Sequence, residues 1–305
     1  MSAAASKLEV SLFSAAERPD VSRQMKISAK ILTFTIILFA SRTVMAGAVV
    51  ENVQWKEVFS KHSTNGVFVF CKESSVSCVT NDKLRAAKAY IPASTFKIAN
   101  ALIALETGVI ESGRQVFKWD GRPRSMELWE HDFVLRGAIQ VSAVPVFQQF
   151  AREIGQERMK AFLSAFDYGN AEVGGGIDRF WLDGGLRISA LNQVRFLESL
   201  YQGTVPISER NQLIVKDALT SEAAPGYLVR SKTGYSGVNG RVQPAIAWWV
   251  GWVEAGTEVY YFAFNMDVHS SDALPSRKRI PIEIMNGEGV PIGVNGRADP
   301  LQKPG

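Results

Sequence analysis

The apolar positions of this 305-residue chain change period twice along its length. From about 51 to 86 they form short strand-like runs. Phe68-Val69-Phe70 and Val76-Ser77-Cys78-Val79 read as paired strands joined by Lys72-Glu73-Ser74-Ser75. From about 92 to 219 the pattern is mostly helical. Residues 147–154, 156–166 and 192–201 each carry an apolar stripe, and Ser189 suits the N-cap of the last. After about 226 the strand pattern returns. Residues 227–232 are strand-like, 245–253 are almost continuously apolar, and 258–266 follow after the short turn Ala255-Gly256-Thr257. The last two runs read as antiparallel central strands buried on both faces, with their tryptophans in the core. Residues 277–286 read as a closing helix, and the Gly/Pro-rich tail from about 287 reads as disordered.

A different pattern precedes the first strands. Met25-Lys26-Ile27-Ser28-Ala29-Lys30 is a basic lead-in to the apolar run 31–40. That run is shorter than the ~20 residues a membrane-spanning helix needs, and it suits the core of a secretory signal. Val44-Met45-Ala46 places small residues where a signal peptidase reads. Residues 1–46 therefore read as a signal peptide with its biological start at Met25; an uncleaved membrane anchor is the alternative. The mature protein is expected in the periplasm or secreted, with no stable anchor after cleavage.

Export changes the reading of charge and of cysteine. The formal charge of +4 includes six basic and three acidic residues in 1–46, and the remainder carries 28 basic against 27 acidic, a net of +1. That balance argues against an electrostatic nucleic-acid binder. The two cysteines, Cys71 and Cys78, flank the hairpin turn, and in an oxidising compartment they read as a disulfide. Two free thiols are the alternative. With no histidine pair nearby, no metal site is expected.

Candidate chemistry begins at Ser94-Thr95-Phe96-Lys97. On a helix, residues three apart lie on one face with Cβ atoms roughly 5–6 Å apart, so hydroxyl and amine meet without any histidine. Residues 98–106 are strong helix formers with an apolar stripe, Gly108 offers a stop, and Pro92 suits the entry. Ser94 is thus placed at a helix start, where free backbone N–H groups hold an oxyanion. Alone, Ser-x-x-Lys is a common accident. Ser142-Ala143-Val144, Tyr168-Gly169-Asn170 and Lys232-Thr233-Gly234 follow in order, and the four together are specific.

In these motifs the chain resembles the penicillin-recognising serine enzymes, and among them the class D (oxacillinase-type) β-lactamases. Ile91-Pro92-Ala93, Val116-Phe117-Lys118-Trp119-Asp120-Gly121, Phe180-Trp181-Leu182 and Trp248-Trp249-Val250-Gly251-Trp252 extend the likeness over nearly the whole mature chain. The resemblance implies an α+β fold: a central antiparallel sheet flanked by helices, plus a mostly helical lobe. One catalytic domain, 47–288, would combine a sheet lobe (47–86 and 220–288) with a helical lobe (87–219), followed by a disordered tail, 289–305.

It also implies roles. Ser94 would be the nucleophile, and Lys97, carboxylated by carbon dioxide, the general base. Val144, Phe96 and Trp181 would supply the apolar wall that keeps the amine neutral enough to react. Trp181 would hold the carbamate through its indole N–H; plain core packing is its alternative. The backbone N–H groups of Ser94 and Tyr235 would form the oxyanion hole. Ser142 would relay a proton beside Lys232. Lys232, Thr233 and Arg277 would hold the substrate carboxylate, with Gly234, Val144 and Leu182 lining the site; a surface arginine is the alternative for Arg277. No cofactor is expected beyond the carbon dioxide. The expected partner is a small β-lactam, with a homodimer open. A sensor that acylates without turnover and a peptidoglycan transpeptidase share the same Ser-Lys logic.

Overall fold

Apolar runs too short to cover themselves as helices are paired here into one large sheet. The computed structural model describes residues 48–75, 77–237 and 244–293. The first part contains β1 (Ala48–Glu51), α1 (Trp55–Lys61), β2 (Gly66–Lys72), β3 (Ser77–Thr80), α2 (Lys83–Ala87) and β4 (Ala89–Tyr90). The middle contains α3 (Lys97–Glu106), α4 (Leu135–Gln140), α5 (Val144–Ile154), α6 (Gln156–Ala165), β5 (Ile188–Ser189), α7 (Ala190–Gln202) and α8 (Glu209–Ala218). The last part contains β6 (Thr220–Ala224), β7 (Tyr227–Tyr235), β8 (Ala245–Ala255), β9 (Glu258–Val268) and α9 (Ser276–Gly287).

Seven strands form the main sheet in the order β1-β3-β2-β9-β8-β7-β6, and β4 pairs with β5 apart from it. The sheet is mixed rather than wholly antiparallel, because β1 runs parallel to β3. One edge of β2 is already taken by β9 and the other by β3. The first strand therefore docks on the outer side of β3, after a crossover through α1. At the β2–β3 turn, Cys71 and Cys78 sit directly opposite each other and form a disulfide.

Both faces of the central strands are covered, which is why β8 and β9 lack the alternation of a half-exposed strand. On one face Trp249, Val253, Phe262 and Phe264 pack against Trp55 and Phe59 of α1 and Ile280 and Ile284 of α9. On the other, Trp248, Val250 and Trp252 join a larger core built around α3, α5 and α7. The helix α7 starts where its cap chemistry dictates: the Ser189 hydroxyl accepts from the Asn192 backbone N–H at 3.1 Å. Among the described residues no helix is long and apolar enough to cross a membrane.

The tail departs from expectation over its first residues. Val290 and Ile292 are buried against α9, and Asn286 accepts from the Ile292 N–H at 3.0 Å. Glycine enrichment suggests disorder there, but two apolar side chains at alternating positions are enough to dock the segment. Residues 294–305, and the signal-peptide reading of 1–46, lie outside the described residues.

The disulfide closes a short loop, so removing it is expected to cost about 2–3 kcal/mol. Urea unfolding of a Cys71→Ser/Cys78→Ser double variant under oxidising conditions measures this, and a stability equal to the parent's would contradict it.

Candidate active site

Ser94 lies in a 3₁₀ turn, Ala93–Phe96, that runs directly into α3, whose first residue is Lys97. The tighter turn keeps residues three apart nearly eclipsed. It brings the Lys97 Nζ to 2.6 Å from the Ser94 Oγ. Two hydrogen bonds hold the turn: the Thr95 hydroxyl donates to the Pro92 carbonyl at 2.8 Å, and the Gln193 side chain on α7 donates to that same hydroxyl at 2.8 Å. Ala93 takes a left-handed φ of 49° to start the turn. Such a conformation costs an L-residue roughly 1–2 kcal/mol, and the packing around it must offset that.

The surroundings of Lys97 are dry. Its side chain is fully buried, and the Phe147 ring on α5 lies 5.5 Å from the Nζ. Phe96 packs on Trp181 at 5.1 Å and on Phe180 at 5.0 Å. Burial disfavours the ammonium and lowers the amine from an ordinary 10.5 to about 7. Desolvation does this without help from a neighbouring cation. Phe96 and Trp181, expected from sequence to wall the amine, are fully buried and pack on each other. Phe147 has no counterpart among the sequence candidates, because nothing in an amphipathic stripe marks which phenylalanine will face an amine. The Trp181 indole N–H is buried with no hydrogen-bond partner. A buried donor left unpaired costs about 1–3 kcal/mol, so this one is positioned to donate to an acceptor the bare side chains do not supply.

A second pair stands opposite. The Lys232 Nζ donates to the Ser142 Oγ at 2.5 Å and to the Thr233 carbonyl at 2.8 Å. Ser142 sits between α4 and α5 with a left-handed φ of 53°, and Val144 begins α5, partly buried against the helical core. Along β7 the register places Lys232 and Gly234 opposite Val250 and Trp248, and Thr233 and Tyr235 opposite Trp249 and Ala247. Lys232 therefore shares the sheet face of the helical core. Thr233 and Tyr235 share the face on which α9 packs, and Arg277 is buried in the first turn of that helix.

Gly234 explains how two elements approach so closely. A Cβ at this position would stand 2.9 Å from the Pro92 carbonyl oxygen and 3.3 Å from the Thr95 nitrogen. The end of β7 thus presses against the turn that carries Ser94, and only glycine permits it. Gly169 does the same elsewhere: with φ +58°, its Cβ would lie 2.0 Å from the Arg187 carbonyl. Asn170 then accepts from the Arg187 N–H at 2.9 Å and donates to the Gly185 carbonyl at 2.9 Å. These bonds pin the segment that carries Trp181, so Tyr168-Gly169-Asn170 shapes the wall. Tyr168 itself is buried edge-on to Phe96. Leu182 follows Trp181, partly buried against the same core. None of the three histidines takes part: His62 reaches Glu283 at 3.1 Å, His131 faces the Asp132 carbonyl, and His269 is exposed.

Burial of the amine has a measurable signature. Below pH 7 the folded protein must hold Lys97 charged in a dry pocket. Between about 7 and 10.5 only the unfolded chain keeps that proton, so stability rises with pH across this window. In carbon dioxide-free buffer Lys97→Met should exceed the parent in stability at pH 6 by on the order of 2–4 kcal/mol, with the gap closing toward pH 9.5. A gap in urea unfolding that ignores pH would show the amine to be solvated.

Comparison with known proteins places this geometry. Residues 48–286 match the penicillin binding protein transpeptidase domain. The chain is 61% identical to β-lactamase OXA-5 of Pseudomonas aeruginosa, over 86% of this chain and 98% of that one. It is 62% identical to β-lactamase OXA-10 of the same organism, over 84% and 97%. With β-lactamase OXA-48 of Klebsiella pneumoniae it shares 45% over 87% and 99%. At these identities, and over nearly the whole of each relative, the chain belongs to the class D, OXA-type, serine β-lactamases.

Proposed function

We propose that this protein hydrolyses β-lactam antibiotics, penicillins of the oxacillin type among them, through an acyl-enzyme on Ser94, and so confers resistance. The observation that carries the reading is the buried Lys97 amine, 2.6 Å from the Ser94 hydroxyl and lowered to about 7. A serine hydroxyl is a weak nucleophile near neutrality and needs a base in reach. A neutral lysine supplies one, and it is also the form that reacts with carbon dioxide. The resulting carbamate would supply a general base able to act in both acylation and deacylation, held by Trp181 and lined by Phe96, Val144 and Phe147.

The chain's own residues do the rest. The Ser94 Oγ attacks the lactam carbonyl as its proton leaves toward position 97. The carbonyl oxygen takes the negative charge between the backbone N–H groups of Ser94 and Tyr235. As the ring C–N bond breaks, Ser142 passes a proton to the departing nitrogen, and Lys232 at 2.5 Å restores it. Lys232, Thr233 and Arg277 hold the substrate carboxylate, with Gly234 and Leu182 shaping the surface it meets. The proton held at position 97 is released and Lys232 regains one, which frees the base. Water then attacks the ester carbonyl as its proton goes to position 97, and that proton passes to the Ser94 Oγ as the ester C–O bond breaks. The catalytic domain is taken as 47–288, with lobes divided near 87 and 219. After removal of 1–46 it would act in the periplasm or outside the cell. A homodimer is compatible with this scheme but not required by it.

Turnover of nitrocefin far beyond one equivalent distinguishes the hydrolase from a sensor that stops at acylation; a burst of one equivalent would favour the sensor. Lys97→Ala should fold normally yet lose at least a hundredfold in turnover, consistent with loss of a general base. Intact-mass measurement should show either a persistent acyl adduct or none. Added bicarbonate should raise the activity of dilute enzyme, and activity should fall as pH drops below about 7, where the Lys97 amine gains its proton. Indifference to both would remove the carbamate from the scheme.

A further inference from the structure

The loop that carries Ser142 has a second side. Ala143, Pro145 and Val146 line a cavity of about 320 Å³, whereas Ser142 and Val144 do not. The loop is therefore a partition, with the catalytic hydroxyl on one side and this cavity on the other. The floor is α5 through Gln148, Gln149 and Arg152, and the roof is the segment 117–124 with Trp129. The Trp129 indole donates to the Val141 carbonyl at 3.1 Å, so the roof is bonded directly to the residue before Ser142.

The lining has an unusual charge balance. Lys118, Arg122, Arg124 and Arg152 face the cavity with one carboxylate, Asp120. Arg152 is bonded to Asp178 and Lys118 to Asp132, both from outside the lining. Asp120 alone serves two guanidiniums: it accepts from the Arg124 Nη2 at 2.5 Å and lies 3.9 Å from the Arg122 Nε. The Arg124 Nε is buried without a partner. Glu130, also outside the lining, accepts from the Arg124 backbone N–H at 2.7 Å, so the acids around the cavity balance its cations; what is left over is the orphaned Arg124 donor. The indole of Trp119 lines the same space, as does that of Trp129.

We infer that this cavity is a second binding site, for a small aromatic carboxylate, and that its occupancy is felt at Ser142. The carboxylate supplies an acceptor to the orphaned Arg124 Nε and to the Arg122 guanidinium, which Asp120 approaches only to 3.9 Å. A planar ring matches the indole surfaces, and one ring with its acid group fits the volume. The coupling runs through a short, rigid path: cavity wall, Val141 carbonyl, Ser142 in its left-handed conformation, Lys232. The expected effect on turnover rests on the role assigned to Ser142; binding itself does not.

Benzoate is the probe. Titration by calorimetry should show one site that persists after the catalytic cleft is filled by a slowly released β-lactam attached to Ser94, with intact mass confirming attachment. Arg122 is 83% exposed, so Arg122→Gln should fold unaided and weaken benzoate roughly fivefold, the effect of one partly solvated charge pair. Gln149→Trp, which fills the cavity, should abolish binding while leaving thermal stability near the parent's. Cyclohexanecarboxylate should bind more weakly than benzoate. Benzoate should also change the nitrocefin kcat of the parent without raising KM in proportion. Binding that disappears on acylation, or that survives unchanged in both variants, would overturn the site. Binding as expected with no change in kcat would overturn only the coupling to Ser142. Failure of nitrocefin turnover with benzoate binding intact would count against the hydrolase reading and not against the cavity.

Discussion

An amine held in a dry pocket beside a hydroxyl is the constraint from which the rest of this structure follows. Solvent would favour the ammonium form of Lys97, and the elements packed around it exclude that solvent. The 3₁₀ turn fixes the hydroxyl against the amine. The face of α5 contributes Phe147, and the segment pinned by Asn170 contributes Trp181. No nearby charge lowers the amine; desolvation alone does it. The property therefore belongs to the packing of several elements and to no single residue.

The same constraint accounts for where backbone strain and close approach are concentrated. Ala93 and Ser142 both take left-handed conformations, one starting the nucleophile turn and the other placing a hydroxyl against Lys232. Gly234 removes the one side chain that would separate β7 from the turn. Strained or stripped positions of this kind persist only where the surrounding core over-determines them. Here that core includes Trp248, whose indole donates to the Ile91 carbonyl at 2.9 Å and so ties the sheet to the entry of the turn.

Much of this was legible in the residues. Ser94 and Lys97 stand out not by their spacing alone but because Ser142-Ala143-Val144, Tyr168-Gly169-Asn170 and Lys232-Thr233-Gly234 follow them in order. The doubly covered strands β8 and β9 show as unbroken apolar runs, and the Ser189 cap and the cysteine-bridged hairpin follow from local chemistry. What sequence does not carry is long-range choice. Phe147 is one apolar residue among many on α5 until the fold turns it toward the amine. The parallel pairing of β1 depends on which strand edges remain open after β2 has been claimed on both sides. Val290 and Ile292 look like residues of a loose tail until α9 offers them a surface. The cavity behind Ser142 is likewise a product of tertiary placement, since its roof and floor come from separate stretches of chain.

The aromatic wall around Lys97 has a consequence for how such an enzyme can change. Phe147 lies against the amine, the Phe96–Trp181 pair is buried beside the same turn, and this burial is the reason the amine is lowered toward neutrality. Any trimming that opens a path through this packing also admits solvent to the amine. Open space and an uncharged amine are thus set against each other by the same packing.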